Sequence, residues 1–221
     1  MFHVKHLLLL LFSFPLIVFA QGSMELEEKP FILRQSRDKQ VDSFLANYKS
    51  LQNYSQEEQA LFYWVNLLRS NPPLFRKQII DPFLDQFPEA NTNNAKTLIA
   101  DLDKQDPISL VAPNQLLSET CREHAYDLAY KQKGISHSSS DGRNFQQRMK
   151  DAGVTNCAGE NILEGNEDAL KAVIMLLIDQ GVPGLGHRKS LLNPSFDLMG
   201  CCIIPKKKNE NHIMVQLFSC R

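Results

Sequence analysis

The chain predicts an α+β fold, and three features of its pattern say so. Apolar residues recur at helical spacing through most of the first two thirds of the body. Two β-rich runs, Phe196–Ile204 and His212–Phe218, then lie either side of a short lysine-rich loop, as an antiparallel hairpin requires. No regular alternation of strand and helix, the signature of a wound parallel sheet, occurs anywhere.

The elements follow in order. Lys5 precedes a run from Leu7 to Phe19 that is apolar apart from Ser13 and Pro15, and Val18-Phe19-Ala20 supplies small-residue cleavage spacing before Gln21. Residues 1–20 are therefore expected to be a signal peptide, too short to span a bilayer. No cysteine follows the cleavage point, so a lipoprotein anchor is not expected, and no later run is long enough for a membrane span. Residues 21–54 are polar and charged with a weak helical pattern at Val41, Phe44, Leu45 and Tyr48, and read as a leader or linker. The domain is expected over 55–221.

Ser55-Gln56-Glu57-Glu58 has the form of a capping box, with Glu58 three residues after the hydroxyl residue. Ala60, Leu61, Trp64, Val65 and Leu68 continue it as one helical stripe that ends at Asn71-Pro72-Pro73. Residues 74–105 predict one or two short helices, broken at Pro82 and around 89–94. A long helix is expected from Asn114 to Gln132, closed by Gly134 at its C-terminus. Asp141-Gly142 predicts a turn, with Asp141 capping a helix that ends at Gly153. Gly159–Leu163 predicts a short buried strand, and Asn166–Gln180 the most apolar helix.

Composition narrows the function classes. The chain has 24 Lys and Arg against 25 Asp and Glu, a net charge of −1. No basic stripe is present, so a nucleic-acid partner is not expected. Lys206-Lys207-Lys208 reads as a solvated hairpin loop. Export permits disulfides, but five cysteines leave at least one thiol unpaired or intermolecular. Adjacent Cys201 and Cys202 face opposite sides of a strand, and the expected bond joins Cys220 to one of them across the hairpin. Without a CxxC spacing, a thiolate zinc site is not expected.

Three stretches carry the chemistry: Ile135-Ser136-His137-Ser138, Gly159-Glu160-Asn161-Ile162 and Gly186-His187-Arg188. Two imidazoles and a carboxylate are the groups that hold a divalent metal or move protons near neutral pH. A lone carboxylate in an apolar strand, as at Glu160, needs a partner. Asn161 is expected to hold loop backbone with its amide. His124 reads as a core histidine, and Arg148 as a salt-bridge donor on a helix face.

In this order and spacing the motifs resemble the CAP superfamily, which groups cysteine-rich secretory proteins, antigen 5 and pathogenesis-related 1 proteins, and within it the bacterial SCP-domain branch. The likeness extends from about residue 55 to 220. It also draws on Asn66-Leu67-Leu68-Arg69, the Leu117–Ala125 helix, His137 followed by Asp141-Gly142 and Arg148, Leu192-Asn193-Pro194 and Met199-Gly200. It implies an α-β-α sandwich with a small, mainly antiparallel sheet and one open cleft. His137 and His187 would be the cleft histidines and Glu160 one acid. Asp179 stands where the family has its second acid. There Leu176 replaces the usual tryptophan, and the 181–185 segment is longer than usual.

The leader pattern predicts a secreted or periplasmic protein, and the resemblance implies that it binds a small extracellular ligand such as a lipid, sterol or glycan. Zinc or another divalent cation is a possible cofactor but not a requirement, with His137, His187 and Glu160 as the candidate ligands. Two alternatives stand beside this reading. One is a metal-dependent hydrolase or peptidase with Glu160 as general base. The other is a structural envelope protein with a vestigial cleft.

Overall fold

The computed structural model describes residues 24, 26–33, 36–207 and 211–221, so the signal-peptide expectation for residues 1–20 lies outside the described residues. The first element is helix α1 (Lys39–Leu45), which Asp38 caps by accepting from the Gln40 and Val41 amides. Segment 36–54 is not a free linker. Val41 and Leu45 are buried in the main core, the Asp38 amide donates to the Tyr63 hydroxyl at 2.8 Å, and the Arg37 guanidinium lies 3.7 Å from the Tyr63 ring centroid. The weak apolar pattern at Val41 and Leu45 was the part of this segment that mattered.

Helix α2 (Gln56–Ser70) begins with the capping box the sequence predicts, Ser55 and Glu58 bonding each other's backbone amides. Asn71 then caps α3 (Pro72–Phe75), so the two prolines that end one helix open the next. Pro82 does not break the chain here. A π-helical turn over Arg76–Ile80 runs directly into α4 (Asp81–Gln86), where Pro82 occupies the first turn and needs no amide partner. A short 3₁₀ turn, Pro88–Ala90, leads to α5 (Asn93–Lys104).

Helix α6 (Gln115–Tyr130) is capped by Asn114 and ends without a left-handed glycine: Gly134 has no positive φ, and the Lys131 amide closes the last turn on Asp127. Asp141 does not cap the following helix. Its carboxylate accepts from Arg143 within the turn, and Asn144 caps α7 (Phe145–Asp151) instead. Helices α8 (Ala169–Ile178) and α9 (Gly186–Leu191) complete the helical set.

The strands are β1 (Ala112–Pro113), β2 (Ala158–Gly165), β3 (Leu198–Pro205) and β4 (His212–Ser219), in the order β1-β3-β4-β2. Among the described residues only β1, which the sequence reading missed, pairs in parallel, Ala112 opposite Leu198. Strands β3 and β4 form the expected hairpin, and β2 adds antiparallel to β4 with Ala158 opposite Ser219.

Side-chain alternation along these strands builds two cores. Met199, Cys201, Met214 and Phe218 face α2, α5 and α8. Cys202, Ile213, Val215, Leu217 and Ile162 face α6 and α7. The result is an α-β-α sandwich. At Gly200 an added Cβ would lie 2.3 Å from the Ser118 backbone nitrogen, so α6 rests on bare strand backbone.

The register also corrects the disulfide. Because Ala158 pairs with Ser219, the next residues out, Cys157 and Cys220, are brought together and bonded, Cα–Cα 5.6 Å. Cys201 lies opposite Gln216 and Cys202 opposite Val215, too far along the hairpin to meet Cys220. Both remain buried thiols with Cys121. Burial pushes all three up, Cys202 to about 12, so they stay protonated and inert as nucleophiles.

Candidate functional site

The alternation of β2 sends Glu160 to the α6/α7 face and Asn161 to the α8/α9 face. Glu160 meets His137, and Asn161 meets the backbone of His187.

On the first face, α6 ends and the chain turns through residues 134–144 before α7. Asp127 ties that loop down. It accepts from the Ser140 amide at 2.8 Å, from the Ser140 hydroxyl, and from the Gln132 side chain at 2.6 Å. Burial works to raise the Asp127 pKa, but these hydrogen bonds outweigh it and the net shift is downward. Ser139 and Arg143 then close a small turn at 2.8 Å. This leaves His137 with its side chain 59% exposed while its Nδ1 lies 2.8 Å from Glu160 Oε1.

A carboxylate only accepts, so Nδ1 carries the hydrogen and a neutral ring presents Nε2 as an acceptor. Glu160 itself is buried, and its second oxygen accepts from Arg148 Nη2 at 2.6 Å. Arg148, from α7, also donates to the His137 carbonyl at 2.9 Å and to Ser139 Oγ at 3.2 Å. His124 extends the network inward, with Nε2 2.9 Å from the Ser136 carbonyl and Nδ1 3.2 Å from Ser139 Oγ. Its burial lowers its pKa, so it works as a neutral donor–acceptor.

On the second face, α8 ends at Asp179 in a left-handed conformation, φ 55° and ψ 42°. This conformation is costly for a residue other than glycine, though short polar side chains tolerate it. It turns the carboxylate onto the start of α9. Oδ1 lies 2.7 Å from His187 Nδ1, and Oδ2 accepts from the His187 amide at 2.9 Å and the Arg188 amide at 3.3 Å. His187 thus also presents Nε2, with its side chain 17% exposed.

Arg188 points the other way and is buried. It donates to the Leu177 carbonyl at 2.7 Å, the Asn94 carbonyl at 2.7 Å and Asp101 at 2.9 Å, pinning α8 and α9 to α5. Asn161 Nδ2 reaches the His187 carbonyl at 3.5 Å and Gln216 Oε1 at 3.2 Å, so the amide bonds helix α9 backbone and a strand side chain rather than loop backbone.

The family model for the cysteine-rich secretory protein family, CAP, matches residues 62–218. The chain belongs to the CAP family. No curated protein sequence matches it. Solved structures with a similar fold include an outer surface protein from Borrelia burgdorferi, at 18% identity and a TM-score of 0.49 over 76% of this chain and 94% of that one. An extracellular SCP-domain protein from Bacillus anthracis is 23% identical with a TM-score of 0.41, over 70% of this chain and 49% of that one. NaASP2 with Zn²⁺ is 18% identical with a TM-score of 0.42, over 74% of this chain and 80% of that one.

In this CAP domain the five residues singled out from sequence fall into two groups. His137 meets Glu160, while His187 meets Asp179 and, through its backbone, Asn161. The structure does not assemble His137, Glu160 and His187 as a ligand set. Among the described residues no group of three or more His, Cys, Asp or Glu side chains is placed to hold a metal ion. The reason lies in the partners, because Glu160 gives one oxygen to His137 and the other to Arg148. The ring nitrogens that the acids leave unengaged are the two Nε2 atoms, fewer than the three or four protein ligands of an ordinary zinc site. The residues present therefore do not fit a resident metal.

Two clefts elsewhere are lined by other residues. One lies between the 3₁₀ turn at 49–53 and α6, with Tyr54, Ser118 and Arg122 in its wall. The other lies beside the disulfide, with Asn114, Val154 and Cys220. Among the described residues no helix is long and apolar enough to cross a membrane.

The sequence reading gave Arg148 a salt bridge but not its partner, and it named Arg188 in the Gly186-His187-Arg188 motif without giving it a role. The signal was present in both cases. Each is a charged residue within a helix turn whose neighbours, Met149 and Leu191, belong to the core.

Proposed function

We propose that this CAP domain is an exported binding protein whose two outward-facing imidazoles accept hydrogen bonds from hydroxyl groups of a small extracellular ligand, a glycan or the head of a sterol. The observation that carries this is the engagement of every oxygen of both acids. Glu160 is held by His137 and Arg148, and Asp179 by His187 and the first amides of α9. A general base must reach the water it deprotonates, and the Glu160 side chain is 1% exposed, enclosed by His137 and Arg148. This favours binding over the hydrolase alternative.

What the pairs do is fix two ring orientations in advance, which reduces the ordering cost of binding. Export is part of the same proposal and rests on the leader pattern of residues 1–20.

The test is binding of the purified protein to a glycan array and to sterol in vesicles, with and without chelator. His137→Ala and His187→Ala should each weaken binding by about tenfold, the loss of one charge-oriented hydrogen bond of about 1.5 kcal/mol. Glu160→Gln, assayed with a peptide library, separates the readings. Hydrolysis by the wild type that Glu160→Gln abolishes would overturn the binding proposal, and so would binding that survives loss of both histidines.

A further inference from the structure

Residues 24–33, so far as they are described, lie on the surface of the domain with none of them buried. Yet their contacts are ordered like those of a bound peptide. Phe31 inserts edge-on against Phe83, centroids 5.3 Å apart, and against Phe87 at 6.4 Å. The Gln86 side-chain amide reads the backbone of the next residue in both directions, its oxygen accepting from the Ile32 amide at 3.1 Å and its nitrogen donating to the Ile32 carbonyl at 3.0 Å. Glu89 accepts from the Glu27 amide at 3.0 Å. Lys171, a buried amine on α8, donates to the Lys29 carbonyl at 2.6 Å and lies 5.1 Å from the Phe87 ring centroid.

The domain thus holds main chain at three positions, the Phe31 ring as an aromatic anchor, and the side chains of Leu26 and Leu33 against its core. Ile32, which follows the anchor, is 62% exposed and contributes no side-chain pocket. Pro30 keeps the segment extended at the anchor.

We propose that the groove between α4, the 88–90 turn and α8 is a binding site for extended peptides with an aromatic anchor, and that residues 26–33 occupy it in cis as a displaceable strap. Two observations say that the strap leaves. Leu26, Phe31 and Leu33 pack on the core but none of them is fully buried, and the bonds to the Glu27 and Ile32 main chain are exposed, the pattern of a segment less stable than the body. The next element, α1, is by contrast anchored by fully buried Val41. One observation says what the vacated groove offers a ligand. Among the described residues Lys171 forms no ion pair with a carboxylate, so a departing strap leaves an ammonium whose donors are available to a carbonyl or carboxylate of an incoming peptide. The fit is to a peptide carrying a carbonyl acceptor two residues before its aromatic side chain.

The experiment titrates a fluorescent peptide of sequence Leu-Glu-Glu-Lys-Pro-Phe-Ile-Leu into the full chain. A strap docked nine-tenths of the time masks affinity about tenfold, so Phe31→Ala in the protein should bind the peptide about tenfold more tightly than wild type. The same peptide with alanine at its phenylalanine should not bind, and adding Gln86→Ala to the protein should abolish the gain. Equal affinity for both peptides, or no binding to Phe31→Ala, overturns the proposal. A dimer at high concentration in sedimentation overturns it in favour of strap exchange between copies. Hydrogen exchange on wild type gives an independent reading. The Glu27 and Ile32 amides should exchange far faster than those of α2, and protection equal to α2 would make the segment an integral part of the fold.

Discussion

At the scale of single residues, the energetics centre on the buried Arg148–Glu160 pair. Two charges removed from water repay their desolvation only when all their hydrogen bonds are made, and deleting one partner strands the other. Arg148→Met should therefore destabilise the domain by about 3–5 kcal/mol, read from urea unfolding. Arg148→Met combined with Glu160→Gln should recover much of that loss. A cost below about 1 kcal/mol for the single change would show that the pair is solvated.

His124 gives a pH signature. Burial holds its folded pKa below the ordinary 6.5, so at a pH just under that value the unfolded chain binds a proton that the folded chain does not. Stability is then complete above about 6.5 and is lost as pH falls toward the folded pKa. His124→Gln removes this contribution while keeping a donor for the Ser136 carbonyl. The slope of unfolding free energy against pH, measured from about pH 5 to 7, should be shallower in the variant. Identical slopes would place His124 in contact with water.

At the scale of elements, the contact that sets the sandwich thickness on one side is α6 on β3. A Cβ placed on Gly200 would lie 2.3 Å from the Ser118 nitrogen and 2.4 Å from the Leu117 carbonyl carbon. The added methyl group thus meets backbone that has no rotamer to give. Gly200→Ala should cost about 3 kcal/mol or more and lower the thermal midpoint in step. A neutral outcome would mean that α6 shifts freely over the sheet.

Caps show how much of such detail a sequence displays. Ser55 with Glu58 was legible because both halves of the motif lie within four residues. The cap of α7 was not, because Asp141 and Asn144 are both capable caps, and the bridge between Ser138 and Asn144 selects the second. Pro82 was misread for a related reason, since a proline breaks a helix interior but suits a first turn, and only the preceding π turn creates one there.

At the scale of the whole molecule, the Cys157–Cys220 bond closes a separation of 63 residues that contains β2, α8, α9 and the hairpin. Loop-closure entropy for a span of this size is worth about 4 kcal/mol. Cys157→Ser with Cys220→Ser should lose about that much, and reduction of the wild type should lose the same. Alkylation of the unfolded, unreduced chain should label the three remaining cysteines, Cys121, Cys201 and Cys202. Labelling of Cys220 would contradict the β2–β4 register itself.

The sequence by itself determined the α+β class, the helices with strong periodicity, the hairpin and the set of polar residues worth watching, because periodicity, capping chemistry and motif spacing are local or ordered along the chain. The tertiary structure alone decided who meets whom. Glu160 and Asn161 are neighbours in sequence, yet strand alternation sends them to opposite faces, one to His137 and the other beneath His187. The same register gave Cys220 its true partner, and packing drew Val41 and Leu45 of the 36–54 segment into the core. These outcomes depend on distances between segments far apart in the chain, and no local pattern encodes them.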